Sequence, residues 1–168
     1  MNIVIIANII SFIGSLLMVS MGLIKRKKNV LIVQCFQCGL MGIGNLMLGG
    51  VSGFLVDMIT IVRNLISFRR EFTTPFKIGF IAILAVLNCF TNKLGIIGWL
   101  PVVAGGLFTW FLDTKNDIVI KINCIAGQIM WAVFDFAILN YSAFVFDAVT
   151  LCSNLAGIAR LRLEAKKE

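Results

Sequence analysis

The 168-residue chain has the composition of an integral membrane protein: 60% of its side chains are hydrophobic, only 14% are charged, and its mean hydropathy is +0.99. The net charge of +7 does not indicate nucleic-acid binding, because the basic residues form short clusters between apolar segments. Histidine is absent and no nucleophile with its base is recognisable, so we expect no enzyme, no metal site and no cofactor. The five cysteines all lie in apolar runs, which favours packing over disulfides or zinc binding.

Seven apolar segments follow one another along the chain. A helix that spans a bilayer needs about 20 residues, and the segments cover 3–24, 30–48, 51–68, 78–91, 94–112, 118–139 and 143–159. The first carries its basic residues after the apolar run, the reverse of a cleavable signal peptide, so we expect it to remain as a span. The fourth reaches a useful length only if Phe76 and Lys77 lie at the membrane interface. We predict an all-α integral membrane protein with seven transmembrane helices.

The basic residues predict the orientation of these spans. Cytoplasmic loops are enriched in lysine and arginine, and an external N-terminus with a cytoplasmic C-terminus satisfies this bias. Only Lys93 is then left outside. The residues assigned to the cytoplasmic side are Lys25, Arg26, Lys27, Lys28, Arg69, Arg70, Lys77, Lys115, Arg160, Arg162, Lys166 and Lys167.

Part of the third segment recurs 90 positions later, in the seventh. The repeated residues are Phe54, Asp57, Thr60, Asn64, Leu65 and Arg70, which match Phe144, Asp147, Thr150, Asn154, Leu155 and Arg160. At the same offset Asn45 aligns with Asp135, and Met41 aligns with Trp131. The alternative is that two apolar hairpins agree by chance.

The repeat predicts two parallel triple-helix bundles joined by a linker helix, a 3-1-3 plan. Parallel repeats of this kind are known among transporters, with the substrate site between the copies. The predicted domains are 1–70 for the first bundle, 71–93 for the loop and linker helix, 94–162 for the second bundle, and 163–168 for a cytoplasmic tail.

Polar side chains inside the apolar segments mark a candidate site, because such groups are costly in a membrane and usually functional. Their i, i+3, i+7 spacing places each repeated set on one helix face. The candidate substrate-binding residues are Asn45, Asp57, Thr60, Asn64, Trp131, Asp135, Asp147, Thr150 and Asn154, and the candidate pathway or gating residues are Arg63, Pro101 and Gln128. Interhelical hydrogen bonding is the alternative role for the Asn and Thr residues, and Arg63 could instead extend to the cytoplasmic surface.

The order of three spans, a linker and three spans resembles the superfamily of SWEET sugar transporters and PQ-loop proteins. More closely, the whole chain is similar to the bacterial inner-membrane YgjV family, on Leu100-Pro101-Val102, Thr109-Trp110, Trp131 and Ile61-Val62-Arg63-Asn64-Leu65-Ile66. The resemblance implies a bacterial cytoplasmic membrane location and two bundles that face each other across a central path. It also implies a proline hinge in the first helix of each bundle. Pro101 occupies the fifth span, whereas the first span has only Gly14 and Gly22, so we expect asymmetric rocking.

These observations predict a carrier of a small polar solute, neutral or cationic, that works by alternating access between the two bundles. Its expected partners are the solute, the lipid bilayer and, through a buried acid, protons. A non-transporting membrane receptor or assembly partner is the alternative, since a retrieval-signal receptor shares the superfamily layout. A site open to one side only, with apolar packing on the other, would favour that alternative.

Overall fold

The computed structural model describes residues 2–21, 24, 26–69, 73–114 and 116–164, which form helices and no strand. The helices are α1 (Ile3–Met21), α2 (Lys27–Met47), α3 (Val51–Arg69), α4 (Thr74–Thr91), α5 (Leu100–Trp110), α6 (Asp117–Ala137) and α7 (Tyr141–Glu164), with a 3-10 turn at Ile97–Trp99. All of these except α5 are long and apolar enough to cross a membrane. The prediction of an all-helical membrane protein is therefore confirmed, with six to seven apolar helices. The predictions made for Gly22, Lys25, Arg70, Lys115, Lys166, Lys167 and the rest of the tail from 165 lie outside the described residues.

The fifth predicted segment is shorter than expected. Its first part, 94–96, is a bend and turn held by Asn92, whose Nδ2 donates to Gly95 O at 2.7 Å and whose Oδ1 accepts from Leu94 N at 2.8 Å. The 3-residue 3-10 turn and the 11-residue α5 together rise about 22 Å, less than the ~30 Å of a bilayer core. Pro101 lies in the first turn of α5, where its missing N–H costs no helical hydrogen bond.

Six of the helices form a ring. Going round it, α1 contacts α2, α2 contacts α3, α3 contacts α5, α5 contacts α6, α6 contacts α7, and α7 returns to α1. The remaining helix, α4, packs outside the ring against α3 and α5. A small apolar core of Val56, Leu84 and Val102 joins these three helices, and Trp99 packs against it.

Two described lysines, Lys28 and Lys77, lie at the same end of the ring. The Lys28 ammonium at the start of α2 lies 5.2 Å from the centre of the Phe68 ring at the end of α3. Lys77, at the start of α4, is buried; it donates to Trp110 O at 3.0 Å and pairs with Asp113 in the loop after α5. We call this end, with the loops that follow α1, α3 and α5, the basic end.

The opposite end carries two tight turns of the same backbone form, Leu48–Gly50 between α2 and α3 and Ile138–Asn140 between α6 and α7. The middle residue of each has a positive φ, +79° at Gly49 and +65° at Leu139. In each turn the last residue's N–H donates at 2.8 Å to the carbonyl five residues earlier, Gly50 to Asn45 and Asn140 to Asp135. We call this end the hairpin end.

Candidate functional site

The ring surrounds a cavity of about 440 Å³. All six ring helices contribute to its lining, whereas α4 does not. The lining extends to Phe111, Leu112 and Thr114 in the loop at the basic end. It includes no residue of the two hairpin turns, both of which the structure describes in full. The cavity therefore opens towards the basic end and is closed at the hairpin end.

Helix α6 contributes the longest continuous wall of the cavity. Its lining residues recur at the helical period, so they fall on one face of the helix. They are Ile120, Asn123, Cys124, Gln128, Trp131 and Asp135. Towards the hairpin end the stripe ends on the buried carboxyl group of Asp135.

Three acids meet at the closed end of the cavity. Asp57, Asp135 and Asp147 come from α3, α6 and α7, all line the cavity, and are only 6%, 1% and 6% exposed. The carboxyl groups of Asp135 and Asp147 lie within hydrogen-bonding reach of each other, while Oδ1 of Asp135 and Oδ2 of Asp147 have no partner. Within the described part of the chain, no salt bridge joins any of the three to a cation.

A chain of side-chain hydrogen bonds closes the hairpin end above these acids. Asn140 Nδ2 donates to Asn45 Oδ1 at 3.0 Å, and Asn45 Nδ2 donates to Asp57 Oδ2 at 3.2 Å. Both asparagines are fully buried. Because Asn140 belongs to the second hairpin and Asn45 to the first, this chain ties the two hairpins together.

Close packing between the same hairpins completes the closure. A Cβ placed on Gly53 would lie 2.7 Å from Cε1 of Phe134, and one on Gly50 would lie 2.7 Å from Cδ1 of Ile138. Real Cβ atoms essentially never approach other atoms this closely. The missing side chain of Gly53 therefore leaves room for the Phe134 ring, whereas at Gly50 the end of the Ile138 side chain would have to shift.

Arg63 is held inside the ring rather than extended to the surface. It is 4% exposed and lines the cavity; one Nη donates to Thr109 Oγ1 at 3.1 Å and the other to Asn64 Oδ1 at 3.2 Å. Asn64 in turn donates to Gln34 Oε1 at 2.9 Å. Asn64 thus positions Arg63 without lining the cavity itself.

Three further predicted residues line the cavity between these two groups. Thr60 faces it from α3, and Trp131 and Gln128 face it from α6. The Trp131 ring packs edge-on against Phe134, with centroids 5.8 Å apart. The buried Oε1 of Gln128 has no hydrogen-bond partner. The wall therefore offers an aromatic surface beside a free acceptor.

The structure does not bring Thr150, Asn154 or Pro101 into the cavity lining. Thr150 Oγ1 donates to Phe146 O at 2.8 Å, and Asn154 Nδ2 donates to Thr150 O at 3.0 Å. Both side chains thus bond to the backbone of their own helix, one turn earlier. The predicted polar face of α7 reaches the cavity only through Asp147.

Two important residues were not among the predicted site residues. Asn140 aligns with Gly50, so an amide replaces a hydrogen at an otherwise similar turn, and this departure from the repeat was the available signal. Thr109 reads as an ordinary polar residue near the end of an apolar segment. Its hydroxyl donates to Gly105 O at 2.8 Å and so presents its oxygen to Arg63, which no sequence pattern indicates.

Comparison with known proteins places the chain in a family. A family model, Imp-YgjV, described as bacterial inner membrane protein, matches residues 5–165. No curated protein and no solved structure matches the chain significantly. The match spans almost the whole chain, and the apolar helices agree with it, so the protein crosses the bacterial inner membrane several times. The chain belongs to the Imp-YgjV family of bacterial inner membrane proteins.

Proposed function

We propose that the protein carries a small polar solute, neutral or cationic, across the inner membrane by alternating access. In this proposal α1–α3 and α5–α7 are two halves that rock against each other around the cavity. The basic end faces the cytoplasm, in accordance with the positive-inside bias. The structure then corresponds to the state that is open to the cytoplasm.

The arrangement of contacts supports the assignment of two halves. Exchanging the halves turns the contact of α3 with α5 into the contact of α7 with α1, and both contacts exist. The two hairpin turns, 90 positions apart, share their backbone form. Helix α4 bridges only the first of the two contacts, as expected for a linker between copies.

The chemistry of the lining supports the class of solute. A volume of about 440 Å³ is near the lower end of the range for small-molecule sites. The three carboxyl groups at the closed end disfavour an anion, and Gln128 and Thr60 supply further hydrogen-bonding groups. The Trp131 ring suits a solute that has an apolar surface as well.

The single observation that carries the proposal is the kind of closure at the hairpin end. A purely apolar seal would offer water no hydrogen-bonding group when it opened, whereas this one includes the hydrogen bonds from Asn140 to Asn45 and from Asn45 to Asp57. Such bonds are exchanged for bonds to water at a net cost of about 1 kcal/mol each. The hairpin end can therefore open at a modest cost in free energy.

A receptor or assembly partner is the second candidate, because the cavity opens towards one end only. Phe134 and Ile138, which pack against the glycines of the first hairpin, supply the apolar packing expected of that alternative. The two candidates differ in one measurable property. A carrier must expose its cavity to each side of the membrane in turn, and a one-sided receptor never does so.

Cys38 provides a native probe for this difference, because it is buried and lines the cavity. We would replace the other four cysteines and apply a small membrane-impermeant methanethiosulfonate to each face of vesicles of known orientation. A carrier predicts that Cys38 reacts from both faces. Reaction from the basic end alone would favour the receptor. The control is a variant that retains only Cys89. This residue is exposed on α4 and does not line the cavity, so its labelling does not depend on access to the cavity.

Uptake measurements provide an independent test of the site. We expect Asp57→Asn and Asp147→Asn each to lower uptake, since both acids line the closed end of the cavity. The rise in unfolding temperature that the solute produces should also be smaller in these variants. Full retention of uptake in both variants would remove these acids from the mechanism.

A further inference from the structure

We propose that Asp135 and Asp147 form an exchange site that holds one positive charge at a time: either a proton shared by the two carboxyl groups, or the ammonium or guanidinium group of the solute. This inference rests on the proposed carrier function and narrows its solute to an organic monocation. It also implies that a proton is transported in exchange for that solute.

The geometry requires a positive charge at this pair. The two carboxyl groups are within hydrogen-bonding reach of each other and almost completely buried. Two negative charges this close cannot both persist unpaired in a medium of low dielectric constant. The pair is stable when it shares a proton or when a cation lies against it, and both of its free oxygens belong to residues that line the cavity.

The residues that the structure describes supply no such cation. Among the described groups that line the cavity, the other titratable or charged ones on α2 and α3 are Cys38, Asp57 and Arg63. Asp57 adds negative charge, and Arg63 donates from its two Nη atoms to Thr109 and Asn64 and forms no salt bridge with any of the three acids, although its Nε has no partner. Helices α1 and α5 contain no titratable residue, and on α6 the remaining one in the lining is a cysteine, Cys124.

The first hairpin shows how an amide of the chain itself can supply the hydrogen-bond donor for one of these acids. There the position equivalent to Asp135 is Asn45, whose amide donates to Asp57 at 3.2 Å. In the second hairpin, Asp135 has a carboxyl oxygen where Asn45 has its NH₂ group. Asp135 therefore has no amide N–H to donate to Asp147. A proton or a solute donor must take its place.

The surroundings of the pair suit an organic cation. Trp131 lies one helical turn from Asp135 on the same lined face, and aromatic rings attract ammonium and guanidinium groups. Gln128 adds a buried acceptor without a partner further along the wall. A neutral solute would leave the pair its proton, whereas a cationic group displaces it.

The exchange balances in charge and protons. When the cationic group binds, the shared proton passes to water in the cavity, so the site keeps a single positive charge. In an alternating cycle, one monocation therefore crosses the membrane against one proton. Because the two compete for one site, the apparent affinity for the cation should rise by up to about tenfold per pH unit, since proton and solute affect each other's binding reciprocally.

The test uses the full chain in detergent, in weak buffer with a pH-sensitive dye. Titration with methylammonium, benzylammonium and methylguanidinium should release up to one proton per bound cation for the cations that fit. Benzyl alcohol, the neutral counterpart of benzylammonium, should release none. If none of the three cations binds with proton release, the proposal is wrong.

Asp135→Asn is the decisive variant, because it recreates the amide and acid pair that the first hairpin already accommodates. We expect it to fold, to lose proton release, and to bind the cation at least about tenfold more weakly, a change of about 1.4 kcal/mol. Asp113→Asn removes an acid outside the cavity; it loses the ion pair with Lys77 but should retain both proton release and cation binding. Proton release that survives Asp135→Asn would overturn the proposal.

This measurement separates the exchange site from the carrier function. Proton release with Cys38 labelling from one face only would retain the exchange site and reject the carrier. Labelling from both faces without proton release by any of the three cations would retain the carrier and reject the exchange site.

Discussion

Asn140 has two hydrogen-bonding roles that one substitution can separate. Its Oδ1 accepts from Ala143 N at 3.4 Å, which caps the first turn of α7, and its Nδ2 donates to Asn45 Oδ1 at 3.0 Å. Serine retains a capping oxygen but is too short to reach Asn45. We therefore expect Asn140→Ser to retain the fold and to weaken the closure of the hairpin end.

The magnitude follows from what the substitution leaves behind. In the closed state it leaves the buried Asn45 Oδ1 without a partner, which costs about 1–3 kcal/mol. In a state open at the hairpin end, water supplies the missing donor and the cost disappears. The equilibrium between closed and open states should shift towards the open state by about 1–3 kcal/mol, roughly 5- to 150-fold.

The assay is the labelling rate of Cys38 from the hairpin face, which should rise by the same factor if opening precedes the reaction. Asn140→Ala is the matched variant, because it removes the cap as well and should lower the free energy of unfolding by about a further 1 kcal/mol. An unchanged labelling rate in a folded Asn140→Ser protein would refute the reasoning, since the hydrogen bond would then contribute nothing to closure.

Two further predictions concern the backbone of the hairpin end. Gly53→Ala should separate the hairpins, because its Cβ would lie 2.7 Å from Phe134, and we expect a lower unfolding temperature and faster labelling from the hairpin face. Gly39→Ala, with nothing within 4 Å, should leave the labelling unchanged and, as an alanine within α2, should not lower the unfolding temperature. Leu139→Gly should raise the free energy of unfolding by up to about 1 kcal/mol, because leucine is strained at φ +65°, and Gly49→Ala should lower it by a similar amount. Denaturant unfolding in detergent checks this second pair, and equal stabilities for all three proteins would contradict it.

The sequence was most informative about the features that membrane insertion requires of individual residues. Membrane insertion requires long apolar segments, which is why six of the seven predicted spans appear as helices of spanning length. The same constraint makes Asp57, Asp135 and Asp147 conspicuous, and the structure brings all three to one cavity. Hydropathy could not reveal that Asn92 holds residues 94–96 in a turn and so shortens the fifth segment, because Leu94 and Ile96 are apolar.

The site was less predictable where a side chain has a choice of partners. Thr60 and Thr150 occupy equivalent sequence positions, yet only Thr60 lines the cavity, whereas the hydroxyl of Thr150 donates to Phe146 O of its own helix. Arg63 likewise could reach the surface or turn inward. Its burial depends on Thr109, a residue 46 positions away, and a contact between distant residues has no local sequence signature.

The contact between α1 and α7 closes the ring of helices, and it joins the parts of this chain that are furthest apart in order of synthesis. Until the seventh helix enters the membrane, Asp57 and Asp135 lack the wall that separates them from lipid, where an unsatisfied polar group costs several kcal/mol. We therefore expect the earlier helices to keep these carboxyl groups protonated, or in contact with water or a chaperone, until α7 is in place. Assembly of this protein then depends on its seventh helix, and an incomplete ring exposes carboxyl groups by which cellular quality control can recognise it.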